Sequence, residues 1–256
     1  MTTEEATFAG TLPAIQRTSD HWYRWTDPVT GIHHNMPGVT GLLNTLWKGH
    51  ALDAWKDKTI AEAAVQLYRK GIMDELTDPM AIAAIREAVK EPRMVAANLG
   101  SEIHRLAEEY HKVAQMPDTG TLAGKYLEAY IAWWEASGWR LRLSEAIVIN
   151  PSQNYGGTFD LLAYDQDGKT VLADIKTGGV WREAILQLTA YGLCPLVSPM
   201  GSDKVYPMPM PDRYVVLDVK PEGVRPIDIN VGQAEMMAWA DVLDLVKWQN
   251  SVKGKL

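Results

Sequence analysis

A length of 256 residues with 46% hydrophobic content suffices for one large core, with or without a helical elaboration. The single cysteine, Cys194, excludes an intrachain disulfide, a four-cysteine zinc site and an ordinary iron–sulfur cluster. A net charge of −7 argues against attraction of nucleic acid over the whole surface, so any such site must be a local groove.

In chain order, residues 7 to 41 carry Trp22, Trp25, Asp27-Pro28, Gly31 and Pro37-Gly38, which predict short strands and turns in an N-terminal flap. Apolar residues at helical spacing predict a helix over 51–68 with Gly71 as its stop. Further helices are expected over 79–89, 94–114 and 120–136, interrupted by Pro92, Pro117 and Gly138. Three strands follow, over 141–149, 155–164 and 169–176, then a helix over 181–193. The proline-rich segment 195–211 reads as a mobile loop, 213–220 and 224–229 as strands, and 231–252 as a closing helix. The expected organisation is a flap and helical region over 1–93 packed on a core over 94–256. No apolar run approaches the ~20 residues of a membrane span. The polar start Met1 to Glu5 lacks a signal-peptide pattern, so a cytoplasmic location and no membrane contact are expected.

The chemistry concentrates in the pair of strands around Asp165-Gln166-Asp167-Gly168, where Asp-Gly favours a tight reversal. Asp174 and Lys176 must share a face, since side chains alternate along a strand. The face of Asp160 depends on the turn. An odd loop, Gln166 to Gly168, sets Asp160 across from Asp174, whereas a two-residue Asp167-Gly168 loop opposes Asp160 to Ile175 and separates the carboxylates. If the preceding strands pair symmetrically across residues 151–154, Glu145 falls opposite Asp160. Three acids in one row repel without a counter-charge, and a hard divalent cation such as Mg²⁺ or Mn²⁺ is the usual remedy. An isolated Asp-x-Lys is ordinarily a solvated strand face, but a central apolar hairpin is a poor place for unpaired charge.

Two helical motifs flank this hairpin: Gly100-Ser101-Glu102-Ile103-His104 and Gln187-Leu188-Thr189-Ala190-Tyr191. Their order with Gly157-Thr158-Phe159-Asp160 and Asp174-Ile175-Lys176 resembles the RecB-like branch of the PD-(D/E)xK nuclease superfamily, over roughly residues 95 to 220. The resemblance implies an α/β fold, a central mixed sheet flanked by helices, here with an N-terminal helical elaboration. It implies that His104, Asp160, Asp174 and the backbone carbonyl of Ile175 ligate the metal, with Glu145 a further candidate. Catalysis then falls to Asp160, Asp174 and Lys176, with Lys176 assisting the attacking water, and Gln187 and Tyr191 line the nucleic-acid side. The chain departs from the pattern in carrying Phe159 where relatives place proline, and Asp174 where many carry glutamate. It also lacks the four cysteines with which CRISPR-associated relatives bind an iron–sulfur cluster.

The implied activity is that of a Mg²⁺-dependent DNA exonuclease of recombination or repair, similar to phage-encoded RecB-like enzymes, which would put it in the host cytoplasm. DNA is the implied substrate and a single-strand annealing protein the implied partner. A structure-specific or restriction-type endonuclease uses the same core, and a noncatalytic DNA-binding assembly subunit is the reading of another class. Polarity, strand preference and oligomeric state do not follow from these residues.

Overall fold

The alternation of apolar residues along residues 140 to 229 builds a seven-stranded mixed sheet, and helices cover both of its faces. The computed structural model describes residues 13–46, 50–113, 120–180 and 182–253. Three short strands, β1 (Gln16–Arg17), β2 (Tyr23–Thr26) and β3 (His33–Met36), form a small antiparallel sheet. Helices α1 (Val39–Leu46), α2 (His50–Arg69), α3 (Asp78–Val113) and α4 (Leu122–Ser137) follow. Next come β4 (Arg140–Asn150), β5 (Tyr155–Tyr164) and β6 (Thr170–Lys176), then α5 (Glu183–Gly192). The chain ends with β7 (Leu196–Ser198), β8 (Tyr206–Pro207), β9 (Arg213–Lys220), β10 (Gly223–Ile229) and α6 (Gln233–Val252).

The large sheet runs in the order β10-β9-β6-β5-β4-β7-β8, with β6 and β9 parallel and the other pairs antiparallel. Alternation sorts β6 cleanly. Leu172 joins the core packed under α1, α5 and α6, while Val171, Ala173 and Ile175 join the core under α3 and α4. A third cluster, with Tyr23, Trp25 and Met36 against Ile147 and Ile149, fastens the small sheet to the large one. Among the described residues no helix is long and apolar enough to cross a membrane.

Several expectations are corrected. The helices predicted over 79–89 and 94–114 are one helix, α3, running through Pro92. A proline removes one helical hydrogen bond without ending a helix that is anchored elsewhere, here by buried Val89 before it and by Ile103, Leu106 and Ala107 further along. The segment 195–211 carries β7 and β8 and extends the sheet edge, because Leu196 and Val197 find partners on both sides. Helix α1 starts directly after Pro37-Gly38, inside what reads as turn, since Val39, Leu42 and Leu43 gain burial in the core. Residues 7–12 of the expected flap, Pro117 and Trp181 lie outside the described residues. Gly71 acts as the expected stop, in the left-handed region at φ +70°.

Helix α4 is capped at its start by Thr121, whose hydroxyl accepts from the Gly124 N–H at 3.0 Å, and at its end by Gly138 in the left-handed region. It packs on α3 through an aromatic cluster in which the His111 ring lies 4.5 Å from that of Trp134. The Tyr130 hydroxyl and His111 Nε2 are 2.7 Å apart. Burial lowers the His111 pKa to about 4, so this imidazole is neutral in the folded protein. The unfolded chain binds the proton near 6.5, so the stabilisation is complete above that value and is lost as pH falls toward 4. Between pH 7.5 and 5 the wild type is expected to lose about 1–2 kcal/mol more than His111→Gln, read from denaturant midpoints at the two pH values.

Candidate metal centre

The hairpin β5–β6 decides where the acids fall. Asp165 N–H donates to the Lys169 carbonyl and Gly168 N–H to the Asp165 carbonyl, which closes a three-residue loop, Gln166 to Gly168, with Gly168 at φ +79°. The ladder therefore pairs Leu161 with Ala173 and Leu162 with Leu172, and one step further the same register sets Asp160 opposite Asp174. On the other side β4 pairs Ser144 with Leu161 and Ala146 with Phe159, so Glu145 stands opposite Asp160. Both pairings follow the odd-loop, symmetric-hairpin expectation.

The strands do not continue evenly through this point. Leu143 and Ala146 pack on the same core cluster, as do Phe159 and Leu162, a spacing of three in strands whose period is two. The slip coincides with Glu145 at φ +48°, a non-glycine residue in the left-handed region. That conformation costs about 1–2 kcal/mol for a residue with a Cβ. On β5, Asp160 Oδ2 accepts from the Ile175 N–H at 2.6 Å, so a side chain takes over where the β5–β6 ladder stops. Within a strand a residue's N–H and C=O point to the same side, which directs the Ile175 carbonyl toward β5 as well.

Helix α3 brings His104 onto this pair. Its Nδ1 lies 3.3 Å from Asp160 Oδ1 and 3.7 Å from Glu145 Oε1. The three offer ligand atoms all within 4.8 Å of one another, an imidazole and two carboxylates suited to a divalent cation. Asp174 and Lys176 form the adjoining pair, with Nζ 2.7 Å from Oδ2 and donating to Oδ1 at 3.0 Å. Asp174 is 2% exposed, and both of its oxygens face the Lys176 ammonium. The metal-binding set expected from sequence thus divides: His104, Glu145 and Asp160 converge directly, and Asp174 is held beside them by Lys176.

The titration pattern follows from crowding. The Asp160 charge pushes the His104 pKa up to about 11 against the opposing effect of burial, with Glu145 adding to it. Burial would raise Asp160, but the His104 and Lys176 charges and the Ile175 N–H hold it below its ordinary value. Burial and the Asp160 charge raise Glu145 despite its contact with His104. Asp174 is raised to about 6 by burial, which outweighs Lys176. Burial works against the Lys176 charge, yet Asp174 and Asp160 carry its pKa above the ordinary lysine value. The imidazolium charge of His104 therefore partly offsets those of Asp160 and Glu145.

Helix α5 supplies the remaining wall. Gln187 Oε1 accepts from Lys176 Nζ at 3.4 Å, and Gln187 Nε2 donates to the Tyr191 hydroxyl at 3.0 Å. Tyr191 is 2% exposed and its ring lies over Gly157, where any Cβ would overlap it. Tyr191 thus meets the cleft through the amide it holds. The neighbouring Gly156 makes room for Tyr23, whose hydroxyl is 3.0 Å from Thr158 Oγ1. The resulting open cleft, about 620 Å³, also takes in Arg17 at the end of β1 and His21 in the turn that follows. Sequence spacing gives no signal for these two residues, because the flap reaches the site only through tertiary pairing, with Gly156 N–H donating to the Pro37 carbonyl.

No protein-family model and no curated protein matches the chain. Among solved structures, the crystal structure of SSO0001 matches at 14% identity with a TM-score of 0.30, over 58% of this chain and 72% of that one. A likeness that slight carries no inference.

Two outcomes test the geometry. Glu145→Gly should be more stable than Glu145→Ala by about 1 kcal/mol, the reverse of the usual order in a strand, because only glycine adopts the left-handed backbone freely; denaturant midpoints of the two variants decide it. Mn²⁺ binding should release about one proton, from His104, and tighten about tenfold per pH unit between pH 6 and 8. Calorimetry in buffers of different ionisation enthalpy measures that proton.

Proposed function

We propose that the chain is a divalent-metal-dependent DNA exonuclease of the RecB-like PD-(D/E)xK kind, acting in recombination or repair, with Mg²⁺ or Mn²⁺ as its cofactor. The observation that carries this reading is the convergence of His104, Glu145 and Asp160 in one cleft, next to an Asp174–Lys176 pair of which Asp174 is buried. Such a set, at a break in the sheet rather than on a solvated strand, fits hydrolysis of a phosphodiester. A single-strand annealing partner belongs to the same proposal.

A bound divalent cation supplies Lewis-acid charge to the phosphoryl oxygens and a water of lowered pKa. The protein's own part is orientation. The Ile175 N–H fixes the Asp160 carboxylate, so its second oxygen faces His104. Asp174 and Gln187 hold the Lys176 ammonium, the group that would orient a water beside the scissile phosphorus. Tyr191 keeps the Gln187 amide turned so that its oxygen faces the lysine.

End-labelled linear DNA, single- and double-stranded, compared with closed circular DNA in Mg²⁺, Mn²⁺ and EDTA, tests the proposal. Degradation of linear DNA only, lost in EDTA and reduced about a hundredfold or more in Asp174→Asn and Lys176→Gln with unchanged circular dichroism, is the expected result. Cutting of the circle makes the protein an endonuclease. No cleavage by the wild type in either metal removes the enzymatic reading.

A further inference from the structure

We infer that Arg17 and His21, on the flap, form a phosphate clamp that grips the backbone of a single nucleic-acid strand in the cleft; the identity of the ligand rests on the nuclease reading above. Both residues line the same cleft as His104, Glu145 and Asp160. Arg17 Nη2 lies 2.6 Å from His21 Nδ1. A guanidinium can only donate, so Nδ1 is the acceptor and the ring proton sits on Nε2. The pair therefore offers the Nε2–H and the remaining guanidinium N–H groups, donors only, which is the complement of a phosphodiester's oxygens.

The charge of Arg17 is uncommitted. The other arginine at the cleft, Arg105, is spoken for by Glu102 at 2.6 Å and by Glu109, whereas Arg17 contacts no carboxylate among the described residues. The acid within the turn, Asp20, takes the Thr18 hydroxyl. Three non-glycine residues among those described have positive φ, and two of them, His21 at +59° and Glu145 at +48°, line this cleft. Strain of that kind persists where surroundings over-determine it and gathers at working sites. Here the surroundings are explicit: His21 N–H donates to the Thr18 carbonyl, and Gly38 leaves room for the His21 carbonyl where a Cβ would strike it.

The clamp is also held in register with the acids. Tyr23, two residues after His21, is bonded to Thr158, two residues before Asp160. The distance from clamp to candidate metal centre is thus set by packed side chains rather than by a free loop. The first turn of α1, Val39 to Gly41, lines the same cleft without an acidic residue, and its leading N–H groups add to the positive lining.

Binding of a labelled (dT)₁₂ oligonucleotide to the full chain in EDTA, followed by anisotropy across salt concentrations, tests the clamp apart from cleavage. Arg17→Gln is expected to weaken binding about tenfold and to reduce the log–log salt slope by about 0.7, one phosphate's share for a single strand. Arg17→Lys keeps the slope and loses part of the affinity. His21→Gly, which accommodates the left-handed backbone, weakens binding without lowering the melting temperature. In Mg²⁺, Arg17→Gln raises KM and leaves kcat unchanged. Unchanged affinity, slope and KM in Arg17→Gln overturns the clamp. A wild type that binds through Arg17 yet cuts no DNA keeps the clamp and sinks the nuclease, while cleavage with a KM indifferent to Arg17 does the reverse.

Discussion

Carboxylates cannot crowd the end of a sheet without a cation among them, and that constraint organises this protein. Glu145, Asp160 and Asp174 come from three adjacent strands, and the only positive groups that touch them among the described residues are His104 and Lys176. Each cation arrives on a different support: the histidine on a helix about 54 Å long, the lysine on the strand that bears Asp174. The proton on His104 balances Glu145 and Asp160 as a bound metal would, and the two would compete for one place.

Strand β5 is clamped from both sides by tyrosines seated on consecutive glycines. Gly156 receives Tyr23 and Gly157 receives Tyr191, and each tyrosine reaches a polar group of the cleft, Thr158 in one case and Gln187 in the other. The glycines do not act through flexibility. They let two large rings approach the backbone closely, so that the strand bearing Asp160 is fixed by packing immediately before the acid. This explains how Glu145 can be held in an unfavourable backbone region: its neighbours Ala146, Ile147 and Val148 are all buried, and the slip in alternation has no room to relax.

Much of this was legible beforehand because it depends on period and turn chemistry. The Asp-Gly turn, the two-residue alternation and the symmetric hairpin across 151–154 suffice to align Glu145, Asp160 and Asp174 in one row. Helical spacing likewise puts Gln187 and Tyr191 on one face, although it does not reveal that Tyr191 is buried against Gly157. What stayed hidden depends on contacts far apart in sequence. Pro92 signalled a break that packing overrides, Leu196 and Val197 needed strands on either side to become strand, and Arg17 and His21 reach the cleft only because Tyr23 crosses 135 residues to Thr158. The PD-(D/E)xK resemblance rests on the order of motifs, and the mixed sheet flanked by helices is the coarser part of it now visible.

The three-residue loop Gln166 to Gly168 lies at the far end of the hairpin from the acids, yet it is what keeps Asp174 on the side of Asp160. Its length therefore acts as a parity switch for the centre. Natural variants and engineered insertions at this exposed turn are free to differ by two residues, which returns every side chain to its face. A change of one inverts β6 against β5, burying the carboxylate and lysine where Val171, Ala173 and Ile175 now pack. A surface loop with no chemistry of its own is for this reason among the least length-tolerant parts of the chain.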